Sequence, residues 1–376
     1  MVEVGKKITV VVNGRFHAFD YAAELYKMGC LEKLISTMPY SVAKRYNIGK
    51  EVYVGLPFFE VLKRGYRKIF KKELPVLWYA RLFTKTTLKF IPNSTEVVIC
   101  FAGYAQEIFE AYKLKSVIKI LDRGSTHTLS NIQLKKQAGD YHRYDYPANS
   151  QIFVERELLE YELANYILIP SKFVKQTFIE NQVDKQKLIQ IPYAFSSKKF
   201  KKITHSSTKR QNTVLFVGQL SPRKGTGVLI DAVKLVREHI PEVELWFVGS
   251  LQKGINKEHL KQDWIKYYGV LRGDSLVAKY QEATLFCLPS FEEGLALVLT
   301  EAKYFNLPIV ATPNSGIEDL TIIDHKKYQL SEAGNVKELA FKIEKALKLD
   351  FEQSNNVNVF YHTWEDFTNQ LLSRIK

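Results

Sequence analysis

The chain has 376 residues, of which 46% are hydrophobic, 13% aromatic and 25% charged. This length corresponds to two or three domains, and the composition excludes wholesale disorder, collagen-like repeats and small disulfide scaffolds. The 54 lysines and arginines exceed the 40 aspartates and glutamates, giving a net charge of +14 that favours anionic partners such as phosphates, lipid surfaces or nucleic acid.

The three cysteines, Cys30, Cys100 and Cys287, lie far apart in apolar surroundings. They form neither a disulfide framework nor a metal-binding spacing, which favours a reducing compartment. No run of about 18 apolar residues is available to span a bilayer, and the first residues lack the pattern of a signal peptide. We therefore expect a cytoplasmic location.

Short β-branched runs alternate with helical patterns along the first half of the chain. Strands are predicted at Ile8–Val12, Leu34–Thr37, Val97–Cys100, Ile118–Leu121, Ile167–Ile169 and Leu188–Ile191, and amphipathic helices at Ala18–Lys27 and Ile152–Tyr166. Unbroken apolar strands separated by helices are typical of a parallel sheet covered on both faces. We expect one doubly wound domain over residues 1–195.

A polar stretch at 196–211, rich in Ser, Thr, Lys and Arg, is the predicted linker. Beyond it, strands are predicted at Val214–Val217, Leu245–Val248, Leu285–Leu288 and Ile309–Ala311, and helical patterns follow Lys224, Glu293 and Asn335. These elements indicate a second doubly wound domain over residues 212–360. A capping pattern from Thr363 to Asp366 begins a final helix, within residues 361–376, that we expect to pack on the first domain.

Two glutamates follow the predicted strand Leu285–Leu288. Tandem α/β sheets hold a shared ligand in the cleft between the carboxyl ends of their strands. Glu301 lies eight positions after Glu293, which is about two helical turns, so the two carboxylates can face one polyhydroxyl ligand. The alternative is that Glu293 only interacts favourably with the helix dipole at the N-terminus of the helix and that Glu301 is solvated.

One segment of the second half resembles the signature of retaining glycosyltransferases with the GT-B architecture, family 4 in particular. In this segment a strand is followed in order by Pro289-Ser290, Glu293-Gly294 and Glu301-Ala302. The resemblance extends to Val214–Gly225, Phe247–Ser250 and Pro308–Gly316, and so covers the second half of the chain in the expected order. It implies an α/β GT-B fold, with two Rossmann-like domains facing a central cleft. It also implies transfer of a hexose, with retention, from a UDP- or GDP-sugar to an acceptor hydroxyl in glycan, polysaccharide or glycolipid synthesis.

The resemblance also assigns roles to individual residues. Glu293 would bind hydroxyls of the donor sugar, Glu301 the ribose hydroxyls, and Lys224 the diphosphate, whose developing charge a fixed cation stabilises. The family usually has arginine where this chain has Gln219, and Arg223 either replaces that arginine or faces solvent. The remaining predicted donor-binding residues are Gly14, Gly218, Gln219, Arg223, Gly249, Leu271, Gly294 and Leu295.

Two loops of the first half carry further candidates. Gly14 follows the first strand and allows a phosphate or sugar to approach the backbone closely, although a plain turn glycine is an equal alternative. After the strand Ile118–Leu121, the resemblance makes His127 the histidine near the reacting sugar; the alternative is a packed or surface histidine. The expected acceptor-binding residues are Arg15, His17, Asp122 and Arg123.

Residues 58–90 interleave basic and aromatic side chains with few acids. This pattern suits a helix on an anionic membrane, a packed helix with a solvated basic face, or a phosphate-rich acceptor. The first alternative would place the protein peripherally on the cytoplasmic face of the membrane.

Other nucleotide-binding classes are disfavoured. No Gly-x-Gly-x-x-Gly fingerprint or P-loop is found, and no two aspartates lie two apart as in metal-dependent transferases, so neither metal nor cofactor is expected. The expected partners are a nucleoside diphosphate sugar and a glycan or lipid-linked acceptor, and not nucleic acid. The competing function is a non-catalytic basic α/β protein that binds nucleic acid or an anionic membrane, with no turnover of nucleotide sugars.

Overall fold

The computed structural model describes residues 6–113, 115–146, 151–195, 212–255, 257–320, 328–348 and 362–375. These residues form two parallel β-sheets flanked by helices, one sheet in each half of the chain. The doubly wound α/β architecture expected from the sequence is therefore confirmed. The predicted linker, 196–211, lies outside the described residues.

The first domain contains a seven-stranded sheet in the order β3-β2-β1-β4-β5-β6-β7, in which every pairing is parallel. Its elements are β1 Ile8–Val12, α1 Ala18–Lys27, β2 Leu31–Ser36, α2 Tyr40–Lys44, β3 Tyr53–Gly55, α3 Phe58–Phe70, α4 Val76–Leu88, β4 Val97–Phe101, α5 Gln106–Ala111, β5 Ile118–Asp122, α6 Thr128–His142, α7 Gln151–Leu163, β6 Tyr166–Ile169, α8 Lys172–Glu180 and β7 Leu188–Gln190.

Strand β1 shows why these runs are apolar throughout. Val10 and Val12 belong to the core on one face of the sheet, whereas Val11 belongs to the core on the other face. Successive side chains of a strand point to opposite faces, so a strand covered on both sides carries no polar alternation.

The second domain contains a six-stranded sheet in the order β10-β9-β8-β11-β12-β13, again with parallel pairings. Its elements are β8 Thr213–Val217, α9 Thr226–His239, β9 Glu244–Val248, β10 Ile265–Tyr267, α10 Asp274–Glu282, β11 Leu285–Leu288, α11 Leu297–Tyr304, β12 Ile309–Ala311, β13 Tyr328–Leu330 and α12 Val336–Leu347.

The final helix, α13 Trp364–Arg374, returns to the first domain, as expected. Thr363 and Asp366 form the predicted capping box: the Asp366 amide donates to Thr363 Oγ1 at 3.1 Å, and the Thr363 amide donates to Asp366 Oδ2 at 2.9 Å. Phe367 and Leu371 are buried in the first-domain core, where the Phe367 ring stacks on Tyr21 of α1 at 5.7 Å. The chain thus crosses between the domains a second time.

Several predicted boundaries shift. The helix predicted to reach Tyr166 ends at Leu163, because Tyr166 already pairs with Ile120 of β5. The edge strands β3, β10 and β13 have three residues each and give too short an apolar run to be read from the sequence. Among the described residues, no helix combines the length and apolar content needed to cross a membrane.

Candidate active site

A cleft of about 570 Å³ lies where the strand ends of the two domains meet. From the first domain, it is lined by residues after β5 and along α6 and α7; from the second, by the loops after β8 and β11. The lining residues are Arg123, Gly124, Ser125, Thr128, Asn131, Lys135, Phe153, Glu157, Arg223, Glu292, Glu293 and Gly294. The position is the one that tandem α/β sheets use for a shared ligand.

Glu293, which lines this cleft, lies against Lys224. Lys224 Nζ forms an ion pair with Glu293 Oε1, and the exposed fractions of the two side chains are only 13% and 10%. The Ser290 hydroxyl also donates to Glu293 Oε1, at 3.2 Å. Lys224 ends a short 3₁₀ turn after β8, and Glu293 lies in the loop after β11. Because β8 and β11 are neighbouring parallel strands, their carboxyl ends bring the two side chains together.

The predicted helical relationship between Glu293 and Glu301 is wrong. Helix α11 begins at Leu297, so Glu293 belongs to the preceding loop and shares no helical face with Glu301. The loop remains non-helical because the Ala296 amide donates to the Ser315 carbonyl instead of to a carbonyl of its own segment. Glu301 accepts a hydrogen bond from the buried Tyr280 hydroxyl at 2.7 Å. The two carboxylates therefore have different protein partners.

Arg223 points into the cleft. Its Nη1 lies 3.1 Å from Glu292 Oε2 and 3.5 Å from Glu293 Oε2. Burial disfavours the charged form of Arg223, but the carboxylates of Glu293 and Glu292 outweigh it and raise the Arg223 pKa. Burial likewise acts to raise the Glu292 pKa, and Arg223 with the Thr126 hydrogen bonds outweighs it, so this pKa is lowered. On the second-domain side, Arg223 and Lys224 are thus paired with the carboxylates of Glu292 and Glu293.

Several hydrogen bonds join the two domains beside these charges. Glu292 Oε1 accepts from the Thr126 hydroxyl at 2.9 Å, and the Ser171 hydroxyl donates to the Gly294 carbonyl at 2.6 Å. The next residue of the chain, Lys172, donates its amide to Asp319 at 2.8 Å. These contacts link the two described domains beside the cleft.

On the first-domain wall, Arg123 is buried and held from two directions. Its guanidinium forms an ion pair with Glu157, and its Nε and Nη2 donate to the Thr126 carbonyl at 3.1 and 3.0 Å. Both interactions fix the loop that carries Thr126, the residue that contacts Glu292. The acceptor-binding role predicted for Arg123 stays a prediction.

His127 lies outside the cleft lining. It is 2% exposed, its ring packs against Tyr161 and Phe178, and its Nδ1 accepts from the Leu129 amide at 3.3 Å, capping α6. Burial, together with the Arg123 charge, lowers the His127 pKa to about 4. A buried, neutral capping histidine fits the packed alternative, and its catalytic role stays a prediction that this geometry does not support.

The structure instead pairs His17 with Asp122. His17 Nε2 lies 2.9 Å from Asp122 Oδ2, and Tyr21 donates to the same oxygen at 3.2 Å. His17 follows β1 and Asp122 ends β5, so both stand at the carboxyl edge of the first sheet. The His17 ring centroid lies 4.3 Å from that of Tyr193 and 5.1 Å from that of Phe101. Two predicted acceptor-binding residues are thus brought together.

The remaining predicted residues are scattered around the two strand edges. Gly14 is half-buried in the loop after β1, and Arg15 beside it is exposed. Gly218 and Gly249 directly follow β8 and β9, and the Gly218 amide donates to the Val248 carbonyl at 2.9 Å. The other three comprise exposed Gln219, half-buried Leu271 and buried Leu295.

Sequence reasoning missed six polar residues of the cleft lining, namely Ser125, Thr128, Asn131, Lys135, Glu157 and Glu292. Burial lowers the Lys135 pKa, and the nearby Glu292 carboxylate opposes that shift. Thr128, Asn131 and Lys135 recur at spacings of three and four, which places them on one helical face. That spacing was a usable signal, whereas nothing in the sequence singles out Glu157.

A known protein family matches the second half of the chain. Residues 197–358 match the family model described as "Glycosyl transferases group 1". A curated relative, an uncharacterized glycosyltransferase of Haemophilus influenzae, is 33% identical over 134 residues, covering 34% of this chain and 37% of the relative. The chain spans about a quarter to a half of the length of the curated relatives it matches, with 37% and 56% for the first two.

Solved structures match nearly the whole chain. The lipopolysaccharide outer core galactosyltransferase WaaB is 16% identical, with a TM-score of 0.63 over 98% of this chain and 100% of WaaB. Anabaena HepE, solved with UDP and glucose, is 14% identical, with a TM-score of 0.57 over 98% of this chain and 95% of HepE. The chain therefore has the two-domain GT-B fold of glycosyltransferases, and its second half matches the glycosyl transferases group 1 family.

Proposed function

We propose that this protein transfers a hexose from a nucleoside diphosphate sugar to an acceptor hydroxyl during glycan or glycolipid synthesis. The observation that carries the proposal is the convergence of Lys224, Arg223 and Glu293 at the carboxyl ends of β8 and β11, where Arg223 and Glu293 line a cleft shared by both domains. The match of residues 197–358 to the glycosyl transferases group 1 family supports it.

Lys224 and Arg223 are the proposed partners of the leaving diphosphate. Cleavage of the glycosidic bond develops negative charge on the diphosphate, and cations already fixed at a partly enclosed cleft stabilise it without reorganisation. Only 13% of the Lys224 side chain is exposed, so its charge acts with little screening by solvent. Glu293 would hold Lys224 in place and accept hydrogen bonds from the sugar hydroxyls.

Glu301 is the proposed ligand of the ribose hydroxyls. Its carboxylate accepts a hydrogen bond from the hydroxyl of Tyr280, and the Tyr280 side chain is fully buried, so this contact orients the carboxylate. A carboxylate can accept two hydrogen bonds from a vicinal diol while keeping that contact. The complexes of HepE with UDP support a uridine nucleotide as the first donor to test.

His17 and Asp122 are the proposed acceptor-orienting pair. With its proton on Nε2, His17 donates to Asp122, and the Nδ1 lone pair is left to accept a hydrogen bond from an acceptor hydroxyl. Arg15 and Arg123 flank this region in the sequence and complete the proposed acceptor side. The WaaB similarity supports a lipid-linked saccharide as the acceptor class.

We further propose retention of the anomeric configuration and independence of metal ions. Front-face substitution through an oxocarbenium-like state needs stabilisation of the leaving diphosphate, which the two cations can supply. Nuclear magnetic resonance of the product gives the anomer directly. Turnover should be unchanged by EDTA and by added Mg²⁺ or Mn²⁺, and a restoration of activity by either ion would remove the metal-independence proposal.

The deciding experiment measures nucleotide release from a panel of UDP-, GDP- and ADP-sugars, with calorimetry of the same donors. We expect the sugars of one nucleotide class to bind and to be hydrolysed slowly. Nucleotide release should become faster when an acceptor is added. No heat and no release with any donor, together with salt-sensitive binding of an oligonucleotide, would replace the enzyme by the non-catalytic binding protein.

A further inference from the structure

We propose that α3 and α4 present a docking surface for an anionic lipid bilayer. The surface consists of the exposed side chains within residues 58–90, and we call it the basic-aromatic surface. It is separate from the charged cleft, so its function does not depend on the proposed sugar transfer.

The apolar part of the basic-aromatic surface is unusually exposed. Val61 is 69% exposed, Ile69 72%, Phe70 57% and Trp78 52%. Along α3, Phe58, Leu62, Tyr66 and Ile69 follow each other at spacings of four, four and three, which aligns them on one helical face. Of the 13 residues of α3, only Phe59 is buried. The first domain therefore covers only part of the apolar face of this helix.

The charged part is strongly positive. Residues 58–90 contain nine lysines and arginines but two acids, a surplus of seven charges in a chain whose net charge is +14. Arg67 lies 3.9 Å from Glu73, and Lys63 lies 3.4 Å from Glu60. Within the described part of the chain, no ion pair involves Arg64, Lys68, Lys71, Lys72, Lys85 or Lys89. These cations are therefore available to a partner.

The basic-aromatic surface borders the strand edge that faces the cleft. The Tyr79 hydroxyl donates to Asn13 Oδ1 at 2.9 Å, directly after β1, and the Thr37 hydroxyl donates to Glu60 at 3.0 Å, directly after β2. A bilayer held by α3 and α4 would thus lie beside the loop that contains His17. A lipid-linked molecule would reach the first-domain side of the cleft without leaving the bilayer.

A bilayer accounts for both parts of the surface at once. Burying branched aliphatic side chains such as Val61 and Ile69 at the boundary of headgroups and acyl chains lowers the free energy of binding. Electrostatic attraction between nearby lysines and anionic headgroups lowers it further. A nucleic acid would engage the same cations and could stack on Trp78, but it would leave Val61 and Ile69 in water. The chemistry therefore favours the lipid surface.

Sedimentation with vesicles tests this inference on the intact chain. We expect the protein to pellet with vesicles of phosphatidylcholine containing one-third phosphatidylglycerol at least about tenfold more tightly than with phosphatidylcholine alone. Binding should weaken as salt is raised. Insertion should also blue-shift the tryptophan fluorescence, and the Trp78→Phe variant should lose that shift while still pelleting.

Matched variants distinguish this surface from general positive charge. Lys68→Glu/Lys72→Glu and Ile69→Ser should each weaken vesicle binding, the charge variant by at least about tenfold. The controls lie on α12 of the second domain, where Phe341 is 63% exposed between the exposed Lys337 and Lys345. Lys337→Glu/Lys345→Glu makes the same change of charge, and Phe341→Ser also replaces an exposed apolar side chain by serine; both should bind like the parent.

Three outcomes overturn the inference. They are equal pelleting with neutral and anionic vesicles, equal loss of binding in the α3 and α12 variants, and tight oligonucleotide binding with no pelleting. Nucleotide release measured without vesicles should be the same in the Ile69→Ser variant and the parent, so a failure here leaves the proposed sugar transfer standing.

Discussion

Gly294 of the second domain lies directly against Gly124 of the first, so closely that a methyl group on Gly294 would overlap the Gly124 carbonyl oxygen. Gly124 follows β5, which ends in Asp122, and Gly294 follows Glu293 in the chain. The two glycines therefore allow the first-domain side and the second-domain side of the cleft to approach until backbone meets backbone.

Gly294→Ala should lower turnover by at least about tenfold, because displacing the two domains by even an ångström misplaces the reacting groups. The expected accompanying change is a larger radius of gyration in small-angle scattering, with the thermal unfolding of each domain preserved. Gly65→Ala is the matched control: nothing lies within 4 Å of its added Cβ, and it should gain about 0.5–1 kcal/mol of helix stability. Unchanged turnover in Gly294→Ala would show that this contact is not needed for the reaction.

Glu293→Gln should reduce kcat by about a hundredfold or more, since it removes a charge beside the proposed positions of the diphosphate and the sugar. Glu282→Gln is the control, because Glu282 also pairs with a lysine of its own domain but is 45% exposed. In a double-mutant cycle with Lys224→Met, we expect strong non-additivity, as the two side chains act as a unit. Full activity in Glu293→Gln would contradict the proposed site.

Arg223→Ala should lower the free energy of unfolding as well as the turnover rate. The substitution leaves the nearly fully buried Glu292 carboxylate without its guanidinium, at a cost of roughly 2 kcal/mol, reduced from the fully buried case because 27% of the Arg223 side chain is exposed. Urea unfolding measures the loss, and Arg223→Ala/Glu292→Gln should recover part of it. No recovery in the double variant would mean that the ion pair does not set the stability.

Stability should fall with acidification through His127. Its pKa is lowered to about 4 in the folded state, against about 6.5 in an unfolded chain. Between these values the unfolded state binds the extra proton, so the free energy of unfolding decreases as the pH falls from about 6.5 to about 4, by up to about 3 kcal/mol. His127→Gln should flatten this part of the urea-unfolding profile.

The same variant tests the catalytic role predicted for His127. If the residue only caps α6, kcat of the folded His127→Gln protein should stay within about threefold of the parent, and His17→Gln should lose far more. A collapse of kcat in His127→Gln, with unfolding unchanged, would restore the sequence-based assignment.

Much of the fold could be read from the sequence because its signals are local. The apolar runs Ile8–Val12 and Leu285–Leu288 and the helix Ala18–Lys27 have the predicted bounds, since burial on both faces forces unbroken apolar strands and one-sided burial forces helical spacing. The capping box of Thr363 depends on residues three apart and was equally legible.

The partners of the charged side chains were decided by tertiary structure. Composition and spacing determined a basic, two-domain α/β chain with Glu293, Lys224 and Arg223 at strand ends. Which atoms meet depends on the approach of segments far apart in sequence: Glu292 meets Thr126 across 166 residues, and His17 meets Asp122 across 105. No local pattern encodes such a contact. In each parallel sheet the neighbouring strands end at the same edge, and the contacts form because the two domains pack with these edges facing each other.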